Sequence, residues 1–345
     1  MNKQKGKSVT HWIRTLGFIL FTCSGLVSRV VLAAPVSAEA AAAFSREMQQ
    51  RHGFDPKALV ATLSHANRLD SVLAAMVKPA EKKPWHAYRP IFMTRERIDA
   101  GVEFWTKNEA ALMHAEATYG VPASIIVAIV GVETFYGRNT GNYRVLDALA
   151  TLAFHFPPRA PFFRAELENF LLLTRDEGVS PTSPTGSYAG AMGLPQFMPS
   201  SFRNFAVDFD QDGKRDIWRD SQDVIGSVAN YLAKHGWEAG RPIVAQAATR
   251  PANASQASDG VELVKTLADY RASGSTPVDP FDENLKAVLL GFEDPDGMEY
   301  WFGFQNFHAI TRYNRSPKYA LAVAQLAEAV EKARAQRPAR QANAR

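Results

Sequence analysis

One carboxyl group in this 345-residue chain stands apart by its surroundings. The segment from Pro122 to Phe135, PASIIVAIVGVETF, is apolar on nearly every side, and a helix of that kind is normally buried. Glu133 interrupts it one turn after Ile129 and two after Ile125, so it shares their face. Loss of hydration favours the neutral form of a carboxyl group, which is the form a general acid needs. An internal salt bridge with Arg138 or Arg144 is the other reading of the same position. The residues that follow suit a sugar groove. GVETFYGRNTG and, from Ser187, SYAGAMGLPQFMPSSF combine glycines, Gln196 and several aromatic rings. Rings stack on pyranose faces and side-chain amides take hydroxyl and N-acetyl groups. Core packing is the competing account of Phe135, Tyr136, Tyr188 and Phe197.

A second pattern is DFDQDGKRD, with Asp208, Asp210 and Asp212 at positions 1, 3 and 5 of a loop, Gly213 at 6 and Asp216 at 9. These are the first three-quarters of an EF-hand loop. Arg219 stands at position 12, where a bidentate glutamate is expected, and Asp223 in the next helix is the candidate to replace it. Three alternating aspartates repel one another without a cation, so a hard cation such as Ca²⁺ is expected in preference to a solvated acidic turn.

The elements that must position these groups are mainly helical. Periodicity predicts helices over 38–50, 56–65, 70–77, 94–119, 122–135, 147–154, 161–177, 221–235 and 317–335, with Gly120, Gly178 and Gly236 as stops. Residues 178–187 read as a loop, and 241–305, with its β-branched and alternating runs, as a small β-rich insertion. The expected order is a signal peptide (1–34), a helical N-terminal domain (38–120), a catalytic core (121–240) holding the 208–223 loop, the insertion (241–305), C-terminal helices completing the core (306–335) and a disordered tail (336–345).

Five blocks in order, GVETFYGRNTG, LDALATLAFHFPPRAPFFRAELENFLLL, SYAGAMGLPQFMPSSF, DSQDVIGSVANYLAKHGW and ITRYNRSPKYALAV, resemble the lytic murein transglycosylases of the membrane-bound transglycosylase B type, glycoside hydrolase family 103. The resemblance covers nearly all of the chain after the signal segment. It implies an α+β protein, mainly α, with a lysozyme-like helical core. It also implies cleavage of the β-1,4 bond between N-acetylmuramic acid and N-acetylglucosamine, leaving a 1,6-anhydro ring. Glu133 matches the family's single acid/base; Ser187, Gln196, Tyr231, Tyr313, Asn314 and Tyr319 match positions lining its glycan groove. The family carries one structural metal in a loop like that at 208–223, with Lys214 contributing its carbonyl. The sequence departs from the pattern at Pro195, where a glycine or another flexible residue commonly precedes the glutamine.

The residues themselves are consistent with one carboxyl group. Ordinary glycosidases pair two carboxylates across the scissile bond. Neither active-site block holds a second, and Asp147, the nearest in sequence, reads as the cap of the next helix. The substrate's N-acetyl oxygen can then stabilise the anomeric centre, and the same glutamate can deprotonate the C6 hydroxyl that closes the ring. A hydrolytic muramidase and a noncatalytic wall-binding protein are the alternatives; a scaffold gains nothing from a lone carboxyl group on an apolar helix.

Net charge is +4, which by itself suggests a nucleic-acid binder. Five basic residues in 1–34 and five in 332–345, with no acidic residue in either, leave 29 basic against 35 acidic residues between them. That body offers no footprint for a phosphate backbone, so no nucleic acid is expected as a partner. Basic residues from Lys3 to Arg14, the apolar run Gly17 to Val27 and the small residues before Pro35 predict export to the periplasm with cleavage near Ala34. The lone Cys23 lies inside that run after Phe21-Thr22 and reads as apolar filler; an uncleaved anchor or a lipidated Cys23 is the alternative, with membrane association. The mature chain then has no cysteine, which excludes disulfides, thiolate metal sites and cysteine catalysis. No catalytic cofactor is expected, glycan strands are the expected partner, and the protein is expected to be a monomer.

Overall fold

Helix boundaries fall where the sequence supplies caps. In the computed structural model, which describes residues 36–77, 83–249, 257–258 and 260–337, Ser37 accepts from the Ala40 N–H to start α1 (Ala38–His52). Gly53, at φ 68°, ends it in the left-handed conformation. Asp55 and a first-turn proline start α2 (Pro56–Ser64); α3 (Asp70–Ala75) and α4 (Trp85–Tyr88) are short. The segment expected as one helix over 94–119 is two, α5 (Arg95–Lys107) and α6 (Glu109–Tyr119). Asn108 separates them. Its Nδ2 donates to the Phe104 carbonyl at 2.8 Å and its Oδ1 accepts from Ser221 Oγ at 2.6 Å, so an amide that competes with the backbone ends one helix and fixes a distant one.

α7 (Ala123–Thr134) is the buried helix expected from composition, and every residue in it except Glu133 is buried. It packs against α5, α6, α11 (Ser221–Lys234) and α14 (Pro317–Gln336). Between these run β1 (Tyr143–Arg144), α8 (Val145–His155), α9 (Ala160–Asp176), β2 (Thr185–Gly186) and α10 (Pro199–Phe205). Residues 185–186, expected in a loop, pair antiparallel with 143–144, and Met192 bridges Gly186 and Phe197. Glycine is required where these segments touch: a Cβ on Gly141 would lie 2.1 Å from the Gly186 carbonyl oxygen.

The segment 241–305 forms a five-stranded antiparallel sheet in the order β4-β6-β7-β3-β5: β3 (Val244–Thr249), β4 (Lys265–Thr266), β5 (Ser275–Pro277), β6 (Lys286–Asp294) and β7 (Gly297–Gly303). The Asp294-to-Gly297 turn joins β6 to β7. Sequence periodicity missed α12 (Leu267–Ala272), announced by a capping box in which Thr266 and Asp269 bond reciprocally. After β7, α13 (Gln305–Thr311) leads to α14, which runs to Gln336. One contiguous hydrophobic core runs from Val36 to Val330, and a smaller cluster around Leu267, Tyr270, Leu289 and Phe302 lies inside the sheet segment. The expected signal peptide, 1–34, and the expected tail beyond residue 337 fall outside the described residues.

Candidate active site

The end of α7 is built to stop abruptly. Phe135, Tyr136 and Gly137 all have positive φ, at 52°, 58° and 89°. Two successive non-glycine residues in that region are costly and persist only where surroundings over-determine them. Thr134 supplies much of that. Its hydroxyl donates to the Leu194 carbonyl at 2.9 Å and accepts the Gly137 N–H at 3.1 Å, and its own carbonyl takes the Asn139 N–H at 2.9 Å. The turn is held from the other side by Arg97 of α5, which donates to the Gly131 carbonyl and lies 4.5 Å from the Phe135 ring. Arg138 sits at the same 4.5 Å from that ring. Arg97 lies outside every motif and was not legible as a site residue; Thr134 stands inside GVETFYGRNTG, but nothing in its type pointed to the turn it holds.

Glu133, half-buried, is therefore fixed at the rim of a helix that is otherwise core. The arginines that a salt-bridge reading would use are engaged elsewhere: Arg138 with Glu96 and Arg144 with Asp147, both at 2.7 Å. Asp147 is not a simple helix cap. It is buried in the first turn of α8, where it also accepts from the Asn67 backbone and side chain. That joint ties the chain before α3 to α8, and it accounts for the nearest second carboxylate as a structural group.

Three phenols gather around Glu133. The Tyr319 hydroxyl, from the first turn of α14, lies 2.5 Å from Glu133 Oε1. Such a separation belongs to charge-assisted O–H···O bonds. The Tyr313 hydroxyl donates to the Pro195 carbonyl at 2.8 Å and the Tyr231 hydroxyl to the Arg312 carbonyl at 2.6 Å. Burial, then the Glu133 charge, pushes Tyr313 and Tyr319 well above the usual phenol range. Burial pushes Tyr231 up to about 12, with Arg312 opposing and Glu133 adding. All three are neutral donors near pH 7 and cannot serve as bases. The Tyr231 and Tyr313 rings pack at a tilt with centroids 4.7 Å apart, and Phe197 is tilted against both.

Tyr319, expected as a groove-lining residue, thus touches the carboxyl group itself. Gln196 adopts φ 51°, and its Nε2 donates to the Thr140 and Gly193 carbonyls at 3.1 and 2.9 Å. Its donor side is spent inside the loop. Ser187 likewise turns its hydroxyl onto the Ala189 and Ala191 N–H groups, and Asn314 Oδ1 accepts the Ser316 N–H ahead of α14. Pro195, the departure from the expected pattern, is buried and carries the carbonyl that anchors Tyr313. The 187–198 segment is joined to the region after α10 by the Leu194 N–H on the Ile217 carbonyl, at 2.9 Å.

In the acidic loop, carboxylate oxygens of Asp208, Asp210 and Asp212 lie within 4.8 Å of one another. Ca²⁺–O distances of about 2.3–2.6 Å allow two ligands of one ion to be roughly 5 Å apart, so the three carboxylates fit one such cation. The Asp210 carboxyl is held above its ordinary value: the Asp212 N–H bond lowers it, and burial with the neighbouring Asp212 and Asp220 charges outweighs that. Asp223, expected as a ligand, does not join the cluster. It is buried and accepts the Phe209 and Asp216 N–H groups, each at 2.7 Å, clamping the two limbs of the loop. Lys214 donates its backbone N–H to Asp212.

Residues 37–328 match the family described as Transglycosylase SLT domain. The chain belongs to this transglycosylase family. Membrane-bound lytic murein transglycosylase B of Escherichia coli K12 is 46% identical over 303 residues, which are 85% of this chain and 83% of that protein. The soluble lytic transglycosylase SltB1 of Pseudomonas aeruginosa superposes with a TM-score of 0.82 at 52% identity, over 86% of this chain and 99% of that one. The E. coli lytic transglycosylase Slt35, solved in complex with calcium, gives a TM-score of 0.80 at 46% identity, over 86% of this chain and 94% of its own. The transglycosylase fold is thus mostly helical with a small sheet.

Proposed function

We propose that Glu133 is the single acid and base of a lytic transglycosylase reaction, with Tyr319 holding its carboxyl group in place. Membership of the family supports a lytic murein transglycosylase of the cell envelope; the reaction in this reading is cleavage of the β-1,4 bond between N-acetylmuramic acid and N-acetylglucosamine with formation of 1,6-anhydro ends. The observation that carries the assignment to Glu133 is its position: the one residue of α7 outside the core, with a neutral phenol at 2.5 Å. In the first step the carboxyl group gives its proton to the departing sugar oxygen, and the substrate's own acetamido oxygen stabilises the anomeric carbon. In the second, the carboxylate takes the proton of the C6 hydroxyl as that oxygen closes the ring. A phenol hydroxyl both donates and accepts, so Tyr319 can bond either protonation state of Glu133 without moving. Tyr231 and Tyr313 wall the site, and the Gln196 loop and Ser187 turn shape the glycan groove beside it.

The products test this. Released fragments are expected to end in 1,6-anhydro-N-acetylmuramic acid, lighter than the hydrolytic fragment by one water, and to carry no ¹⁸O when formed in labelled water. Label at the new end would make the enzyme a hydrolytic muramidase with a second carboxylate.

For the acidic loop, the reading is a structural Ca²⁺ held by Asp208, Asp210 and Asp212 and the Lys214 carbonyl, with no part in proton transfer. A cation that binds only the folded state stabilises by roughly 2.7 kcal/mol at a hundred times its Kd. Calorimetry should therefore show a melting temperature several degrees higher with calcium than with chelator, and Asp210→Ala should abolish the difference. Indifference of the wild type to both would leave an acidic turn. Export to the periplasm, which rests on the residue order of 1–34, and action as a monomer complete the reading.

A further inference from the structure

Arg97 is a cation with no acid to answer it. It is half-buried in the first turn of α5 and makes no ion pair among the described residues. Burial, opposed by Tyr136 and Glu96, pulls its guanidinium below the usual arginine range, and its Nε is buried without a hydrogen-bond partner among the described residues. A charge so placed costs free energy unless something other than an acid holds it. What holds it belongs to the end of α7. Nη1 donates to the Gly131 carbonyl at 2.5 Å, at the negative end of the helix dipole, and the guanidinium carbon lies 4.5 Å from the Phe135 ring centroid and 5.3 Å from that of Phe92. The backbone under Arg97 is itself fixed. Thr94, the N-cap of α5, accepts the Arg97 N–H at 3.2 Å, and Glu96 pairs with Arg138, whose guanidinium lies against the same Phe135 ring. A capped first turn of α5 thus grips the end of α7 through two adjacent side chains. Glu133 stands midway between the gripped residues, Gly131 and Phe135.

We infer that Arg97 is a positioning residue for the transglycosylase reaction: it keeps the last turn of α7 and its left-handed exit in place, and so holds Glu133 within hydrogen-bond distance of Tyr319. This rests on the assignment of both proton transfers to Glu133. Without the guanidinium, the positive-φ pair Phe135 and Tyr136 loses a restraint that keeps it in a costly conformation. Relaxation of that turn moves the carboxyl group against a hydroxyl that comes from another helix, α14. A misplacement of about 1 Å can cost on the order of 10²-fold in rate.

Steady-state kinetics on purified sacculi separate positioning from packing. Arg97→Met keeps an apolar stem between the rings and removes the charge and the bond to the Gly131 carbonyl. Assayed well below its melting temperature, it should lower kcat by about tenfold to a hundredfold and leave KM within about twofold. In a Glu133→Gln background the same change should slow turnover no further, because a residue that acts by placing the carboxyl group has nothing left to place. Arg97→Lys, which keeps a charge and a donor without the planar fork, should lose several-fold, and it carries the same test should Arg97→Met fail to fold. Wild-type kcat in either folded variant, a loss confined to KM, or losses that multiply in the double variant overturn the proposal. Failure of the Glu133 assignment shows separately, as near-normal turnover of Glu133→Gln alone.

Discussion

Glu133→Gln is expected to lower turnover by at least about 10³-fold while the protein folds and binds glycan strands nearly as before. General acid–base groups contribute about 10²–10⁴-fold each, and in the proposed mechanism one group serves both proton transfers. The amide keeps the size of the carboxyl group and can still accept from the Tyr319 hydroxyl, so the 2.5 Å contact survives in kind. What it loses is the ability to give and retrieve a proton, which matters only in the transition states. The loss should therefore fall on kcat, with KM little changed. Tyr313→Phe and Gln196→Ala should act more mildly. The first removes a bond to the Pro195 carbonyl and the second bonds to the Thr140 and Gly193 carbonyls, all of them loop-shaping contacts. Steady-state rates on purified sacculi, with circular dichroism as the folding control, measure all three. Near-normal turnover of Glu133→Gln would remove Glu133 from its role.

Local chemistry was the legible part of this sequence. The Gly120 stop, the solitary polar residue of α7 and the three alternating aspartates are each set by neighbours within a turn or two. The choice of a partner far along the chain was not. Tyr319 stands 186 residues from Glu133 and reads as one more groove aromatic until α14 is laid against α7. Asp147 reads as a cap because its true partners, Arg144 and Asn67, lie on a strand end and on a segment 80 residues earlier. Asn108 splits a predicted helix because Ser221, 113 residues on, takes its amide oxygen. Asp223 reads as the carboxylate that replaces Arg219 of the twelfth position, yet in the fold it is a buried clamp on the Phe209 and Asp216 N–H groups. Periodicity carries no information about such pairings, since it records which face is apolar and not what that face meets.

The turn after Glu133 offers a second large effect, on stability and activity together. The Tyr136 ring folds back so that its hydroxyl enters the crossing of α5, α7 and α14, where a Cβ on Gly131 would lie 2.5 Å from the oxygen and 2.7 Å from Cζ. Gly101 across the crossing is as tight, at 2.4 Å from the same oxygen. The two glycines exist to admit this ring. Gly131→Ala should therefore destabilise the protein by about 1–3 kcal/mol through overpacking, despite the roughly 1 kcal/mol by which alanine is the better helix former. Activity should fall as well, because the Gly131 carbonyl receives both Arg97 and the Phe135 N–H that set the end of the helix two residues beyond Glu133. The Tyr136 hydroxyl itself is buried without a hydrogen-bond partner among the described residues, and burial holds it well above the usual phenol range, with Arg97 opposing. Tyr136→Phe should consequently cost little or stabilise slightly. In the double variant Gly131→Ala, Tyr136→Phe, the closest contact is gone and the clash with Cζ remains, so denaturant unfolding should show partial rescue and losses well short of additive. Additive losses would mean that alanine at 131 is accommodated by a shift of α7 against α5 and α14.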